Sequence, residues 1–127
     1  MGFYEDPWAR YGTLQDEQLR AMRLVVDTGI HSKGWTREQA IDFMLDNSGM
    51  TRTEVVAEVE RYIAIPSQAL AYKIGALKIQ ELRERAQAKL GDAFDIKDFH
   101  AQVLNTGGLP LPVLEEKIDR WIANGGG

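Results

Sequence analysis

The stretch Arg20-Ala-Met-Arg-Leu-Val-Val-Asp-Thr-Gly-Ile-His-Ser-Lys-Gly-Trp35 decides how this chain is read. At about 100° per residue it divides into two unlike helical faces. Leu19, Met22, Val26 and Ile30 share one face, at the spacing of a core-facing stripe. Arg20, Arg23, Asp27 and His31 share another, stacking both charge signs and an imidazole over successive turns. These residue types make directed hydrogen bonds, whereas a solvated helix usually scatters Lys, Glu and Gln. Two readings follow: an intrahelical Arg–Asp pair beside a surface histidine, or a stripe that lines a polar cavity.

Outward from this stretch the chain reads as helices. Residues 1–12 form an aromatic leader with Phe3, Tyr4, Trp8 and Tyr11; Asp6-Pro7 suits a helix start and Gly12 a stop. The first long helix is expected from about Leu14 to His31, opened by a weak Thr13/Asp16 cap and stopped by Gly34. Gly29 inside it allows close packing or a bend. Thr36-Arg-Glu-Gln39 and Thr51-Arg-Thr-Glu54 are capping boxes, each followed by an apolar stripe. Pro66 breaks the second of those helices, because the residue before proline is pushed towards extended geometry. From Ser67 a pattern holds to Leu90, predicting the longest helix, with a small-residue first half buried and a charge-laced second half exposed apart from Leu82, Ala86 and Leu90, which face inward. Asp95 caps a short helix, with Phe94 and Phe99 placed as a hydrophobic staple. Pro112 opens the last helix, with Leu114, Ile118, Trp121 and Ile122 inward. The prediction is all-α: about six helices in an orthogonal or irregular bundle, one domain over 13–124 and a flexible glycine tail at 125–127.

Composition bounds the function. With 127 residues and 44% apolar content the chain can bury a core. No apolar run is long enough for a bilayer span, and no signal peptide is visible at the start. The absence of cysteine excludes disulfides and thiolate metal sites. A net charge of −4 argues against a nucleic-acid partner. His31 and His100 are the only histidines and form no His-x-x-x-His pair, so no metal site is expected within the chain. No nucleophile elbow or phosphate loop appears. What remains is a partial site: Glu58, Arg61 and Tyr62 on one helix, and Gln68, Tyr72 and Gly75 sharing a face of the next. A phenol beside an imidazole can serve a developing oxyanion, and a tyrosine can equally be a core residue with its hydroxyl satisfied.

At these residues the chain resembles a known family. Tyr4-Glu-Asp-Pro7, Gly12-Thr-Leu, Arg20 to His31 and Gly34-Trp35 resemble the C-terminal part of the bacterial domain-of-unknown-function family eight-eight-five. Glu58-Val-Glu-Arg-Tyr62, Pro66-Ser-Gln-Ala-Leu-Ala-Tyr72-Lys-Ile-Gly75, Leu90 to Asp95, Phe99-His100 and Leu109-Pro-Leu111 follow in the family's order. Ser67 stands where the family usually has glycine, a change expected to leave the helix start unaltered. Family members are several times longer, many carry a secretion or lipoprotein signal, and they resemble gluzincin-type zinc metallopeptidases.

The resemblance implies a C-terminal helical portion that lacks the metal-ligand motif and is inactive alone, with zinc held by the longer parent and none in this chain. By analogy His31 and Tyr72 would take catalytic roles. Arg20, Arg23, Arg61, Tyr62 and Gln68 would bind a peptide substrate, and Asp27 and Glu58 would be structural polar residues. The implied partner is the rest of the parent polypeptide; failing that, the uncovered aromatic surface predicts self-association, as a dimer. A periplasmic or lipid-anchored bacterial parent is implied. The alternative is a standalone helical interaction module without catalysis.

Overall fold

A computed structural model describes residues 4–126, so Phe3 lies outside the described residues. Six α-helices, and no strand among the described residues, make the fold all-α as expected. They are α1 (Pro7–Lys33), α2 (Arg37–Asp46), α3 (Arg52–Ala64), α4 (Ala71–Leu90), α5 (Ile96–Leu104) and α6 (Leu111–Ala123). Two compact units divide the chain, one up to Lys73 and one from Ile74 onward.

In the first unit α1 is one helix of 27 residues, the longest in the chain. The Asp6 carboxylate accepts from the Ala9 N–H at 2.9 Å, and Pro7 supplies the preset φ of a first helical residue. The break expected at Gly12 is absent. A lone glycine costs a helix only about 1 kcal/mol, less than ending and re-nucleating one, and here the Thr13 hydroxyl bonds back to the Ala9 carbonyl instead of capping. Gly34 does end α1, in the left-handed conformation at φ 70°. Both capping boxes form as read, at Thr36 with Gln39 and at Thr51 with Glu54. Met22 and Val26 of α1, Ile41 and Met44 of α2, and Val55 and Val59 of α3 make the buried core.

A short 3-10 turn, Gln68–Leu70, stands where the helix from Ser67 was expected to begin, and α4 starts only at Ala71. Burial along α4 overturns the expectation for its first half, whereas Leu82 and Ala86 of the second half face inward as read. Tyr72, Ile74 and Leu77 are exposed, whereas Leu82 and Ala86 of the charged half are fully buried. Charge lacing did not prevent this, because the cations sit on the helix flank. Arg85 reaches Glu115 at 2.6 Å and Asp119 at 2.9 Å on α6, leaving Leu82 and Ala86 to face Phe99, Leu114, Ile118 and Trp121. The Phe94–Phe99 staple forms with ring centroids 6.2 Å apart, and Asp95 caps α5. Beyond α6 the Gly125 and Gly126 N–H groups bond the Ile122 and Trp121 carbonyls.

Candidate functional site

The polar stripe of α1 meets the chain where proline interrupts it. In an uninterrupted α3 the Tyr62 carbonyl would accept from residue 66, but that residue is proline and has no N–H. His31 fills the vacancy, with its Nε2 3.0 Å from the Tyr62 carbonyl oxygen. A carbonyl only accepts, so Nε2 carries the proton and Nδ1 is the free, basic nitrogen of neutral His31. Past the proline, the Ser67 N–H points at Asp27, 3.0 Å from Oδ2 and 3.2 Å from Oδ1. Asp27 and His31, one turn apart on α1, thus satisfy two of the backbone groups that Pro66 sets loose.

Ser67 occupies the left-handed region at φ 69°, and its hydroxyl makes no capping bond there. A side chain in that conformation costs about 1–2 kcal/mol relative to glycine. Ser67→Gly is therefore expected to raise stability by about 0.5–1 kcal/mol after the unfolded-state entropy of glycine is offset. Urea unfolding checks this, and no gain would mean that the turn is not strained.

Arg23 has a different setting from the pair expected with Asp27. It is 8% exposed, and no carboxylate oxygen lies within 4.0 Å of it among the described residues. Its Nη2 donates to Gln68 Oε1 at 3.0 Å, and its Nε is buried with no partner. The guanidinium carbon lies 5.5 Å from the centre of the Tyr62 ring and 5.0 Å from that of Tyr72, within cation–π range of both. Tyr62 is buried, and its hydroxyl donates to Glu58 at 2.6 Å. Burial first, and the Glu58 carboxylate second, push that phenol well above its ordinary pKa, so it stays protonated. Arg61 closes on the same Glu58 at 2.5 Å.

The structure therefore gathers Arg23, Gln68, Tyr72 and Tyr62 in one cluster, with Glu58 and Arg61 behind Tyr62 and His31 on the Tyr62 backbone. Arg20 stands apart, paired with Asp16 at 2.5 Å. A separate cleft of about 570 Å3, lined by Gln15, Leu19, Met22, Ser48 and Met50 among others, takes in none of these candidates. Among the described residues no three His, Asp or Glu side chains gather as metal ligands, so these residues do not fit a zinc site by themselves.

The family described as "Bacterial protein of unknown function (DUF885)" matches residues 1–118. The chain belongs to that family. Against solved structures it is similar to a crystal structure described as the putative lipoprotein from Colwellia psychrerythraea, at 54% identity and a TM-score of 0.94. The likeness covers 97% of this chain and 21% of that one, so the chain spans about a fifth of the length of its structural relative. No curated protein shows significant similarity to it. In this DUF885 chain reading by pattern found the break at Pro66 but missed its consequences: His31 and Asp27 take up backbone groups that it frees, and Ser67 adopts a positive φ. Ser67 sits at φ 69°, a conformation that glycine adopts at no steric cost and that a serine in the sequence does not announce.

Proposed function

We propose that this chain is the substrate-binding, C-terminal portion of a longer zinc-dependent hydrolase of metallopeptidase type, with the metal ligands outside these residues. The observation that carries the reading is Arg23, a cation buried without a counter-charge, edged by an exposed tyrosine and an exposed glutamine. Burying an unpaired charge costs several kcal/mol, and such costs are retained mainly at functional sites. The span of about a fifth of the structural relative, and that relative's description as a lipoprotein, support a longer and lipid-anchored parent. No helix among the described residues is long and apolar enough to cross a membrane.

Within this reading Tyr72 offers the phenolic O–H that meets a developing oxyanion, because among the described residues its hydroxyl has no protein partner and it is 55% exposed. His31 positions α1 against the end of α3 and presents Nδ1 as an acceptor; donation from that nitrogen requires the imidazolium. The test is peptide hydrolysis by the longer family protein. Tyr72→Phe is expected to lower kcat/KM by about 100-fold, the scale of losing one oxyanion donor, with Tm unchanged. Unaltered turnover overturns the assignment. A second reading, a helical module for protein association, is favoured by one observation: Trp8 at 81% exposure, with Tyr4, Tyr11 and Leu14 exposed beside it. Absence of hydrolysis in the longer protein, with association lost on Trp8→Ala, selects that reading instead.

A further inference from the structure

We infer that Arg23, with Gln68 and Tyr72, forms a receptor for a carboxylate, and that its occupant is the free C-terminal carboxylate of a peptide; the choice of occupant rests on the hydrolase reading. Three observations lead there. First, Arg23 is 8% exposed as a residue, its Nε is buried with no hydrogen-bond partner, and it has no anionic partner among the described residues. The acidic side chains one turn along α1 and beside Tyr62 are already committed, Asp27 to the Ser67 N–H and Glu58 to Tyr62 and Arg61. Secondly, the flanking groups hold the cation without discharging it. Gln68 takes one N–H with a neutral oxygen, and the guanidinium carbon lies 5.5 Å and 5.0 Å from the ring centres of Tyr62 and Tyr72, contacts that restrict the orientation of the planar group. A rigid guanidinium fork of this kind matches the two oxygens of a carboxylate, which a lysine ammonium would not. Thirdly, two of the groups in contact with Arg23 belong to the surface: Tyr72 is more than half exposed and Gln68 is exposed, so the contacts of Arg23 reach solvent through side chains.

The test uses N-acetylalanylalanine and its C-terminal amide, two probes that differ only in the carboxylate. The readout in the 127-residue chain is the NMR signal of the Arg23 Nε–H. The acid is expected to shift that signal saturably and the amide to leave it in place. Gln68→Glu should abolish the shift, because it places a competing carboxylate at the position now 3.0 Å from Nη2. This variant is chosen over one at Arg23, whose removal from a buried site could unfold the protein. Equal response to acid and amide, an unmoved Arg23 signal, or a shift that survives in Gln68→Glu overturns the inference. In the longer protein Gln68→Glu should raise the ratio of KM for the free acid to KM for the amide by about 10- to 100-fold, the range of a lost charge-assisted contact. If an acidic side chain of the parent occupies the site instead, the wild-type longer protein hydrolyses acid and amide alike, and the peptide occupant is overturned. If it hydrolyses neither while the 127-residue chain still selects the acid, the hydrolase reading falls and the carboxylate receptor stands.

Discussion

Replacing Asp27 by alanine is expected to destabilise the chain by about 3 kcal/mol, whereas Asp27→Asn should cost about 1 kcal/mol. The carboxylate is 1% exposed and accepts the Ser67 N–H with both oxygens in range. Alanine removes the acceptor and leaves that amide without its partner behind the proline break, at a penalty of about 1–3 kcal/mol, with the lost charge-assisted bond and the vacated volume adding to it. Asparagine keeps an oxygen of the same shape in the same place. Had Asp27 been the counter-ion of Arg23, the two variants would cost much the same, since each removes the charge and leaves a buried cation unpaired. Urea unfolding of both variants separates the cases. A gap of about 2 kcal/mol supports capping of Ser67, and equal losses would return Asp27 to the ion-pair role.

That contrast also marks where the sequence could be read and where it could not. Helical periodicity, two capping boxes, Gly34 and the Phe94–Phe99 staple are local signals, set by residues within a few positions of one another, and each appears where its pattern put it. The placement of Arg23, Asp27 and His31 on one stripe was equally legible, because it needs only the helical repeat. Their partners were not. Spacing suggested an Asp27 pair with Arg20 or Arg23, but the partner of Asp27 is a backbone amide 40 positions away. The partner of His31 is a carbonyl 31 positions away. Backbone groups have no identity in a sequence, so a side chain that serves them looks like one waiting for a ligand. Only Pro66 announces the need, by deleting one donor. Gly12 misled in the other direction: composition offers the residue, but only φ decides whether a glycine ends a helix, and Gly12 is absent from the positive-φ glycines that include Gly34.

Gly29→Ala is expected to destabilise the protein by about 2 kcal/mol even though alanine is the better helix former. A Cβ built at this position lies 2.5 Å from both Cδ2 and Cε3 of the Trp35 indole, about an ångström inside contact distance. Those atoms belong to a fused ring and cannot swing away singly. Trp35 is also tethered by its own N–H, which bonds the Gly29 carbonyl at 2.9 Å, and its ring lies 5.5 Å from that of Phe43. The whole indole must therefore rotate or α1 must bend. Overpacking of this kind costs about 1–3 kcal/mol, against a gain of about 1 kcal/mol from replacing a helical glycine. The three atoms nearest that Cβ all belong to the indole. In a Trp35→Ala background the same Gly29→Ala change should become stabilising by up to about 1 kcal/mol, and Gly12→Ala, whose Cβ would meet nothing within 4 Å, should stabilise in either background. Unfolding curves for the four members of the Gly29/Trp35 cycle give the coupling directly. A Gly29→Ala effect that is independent of Trp35 would show that the glycine is kept for some reason other than the ring pressed against it.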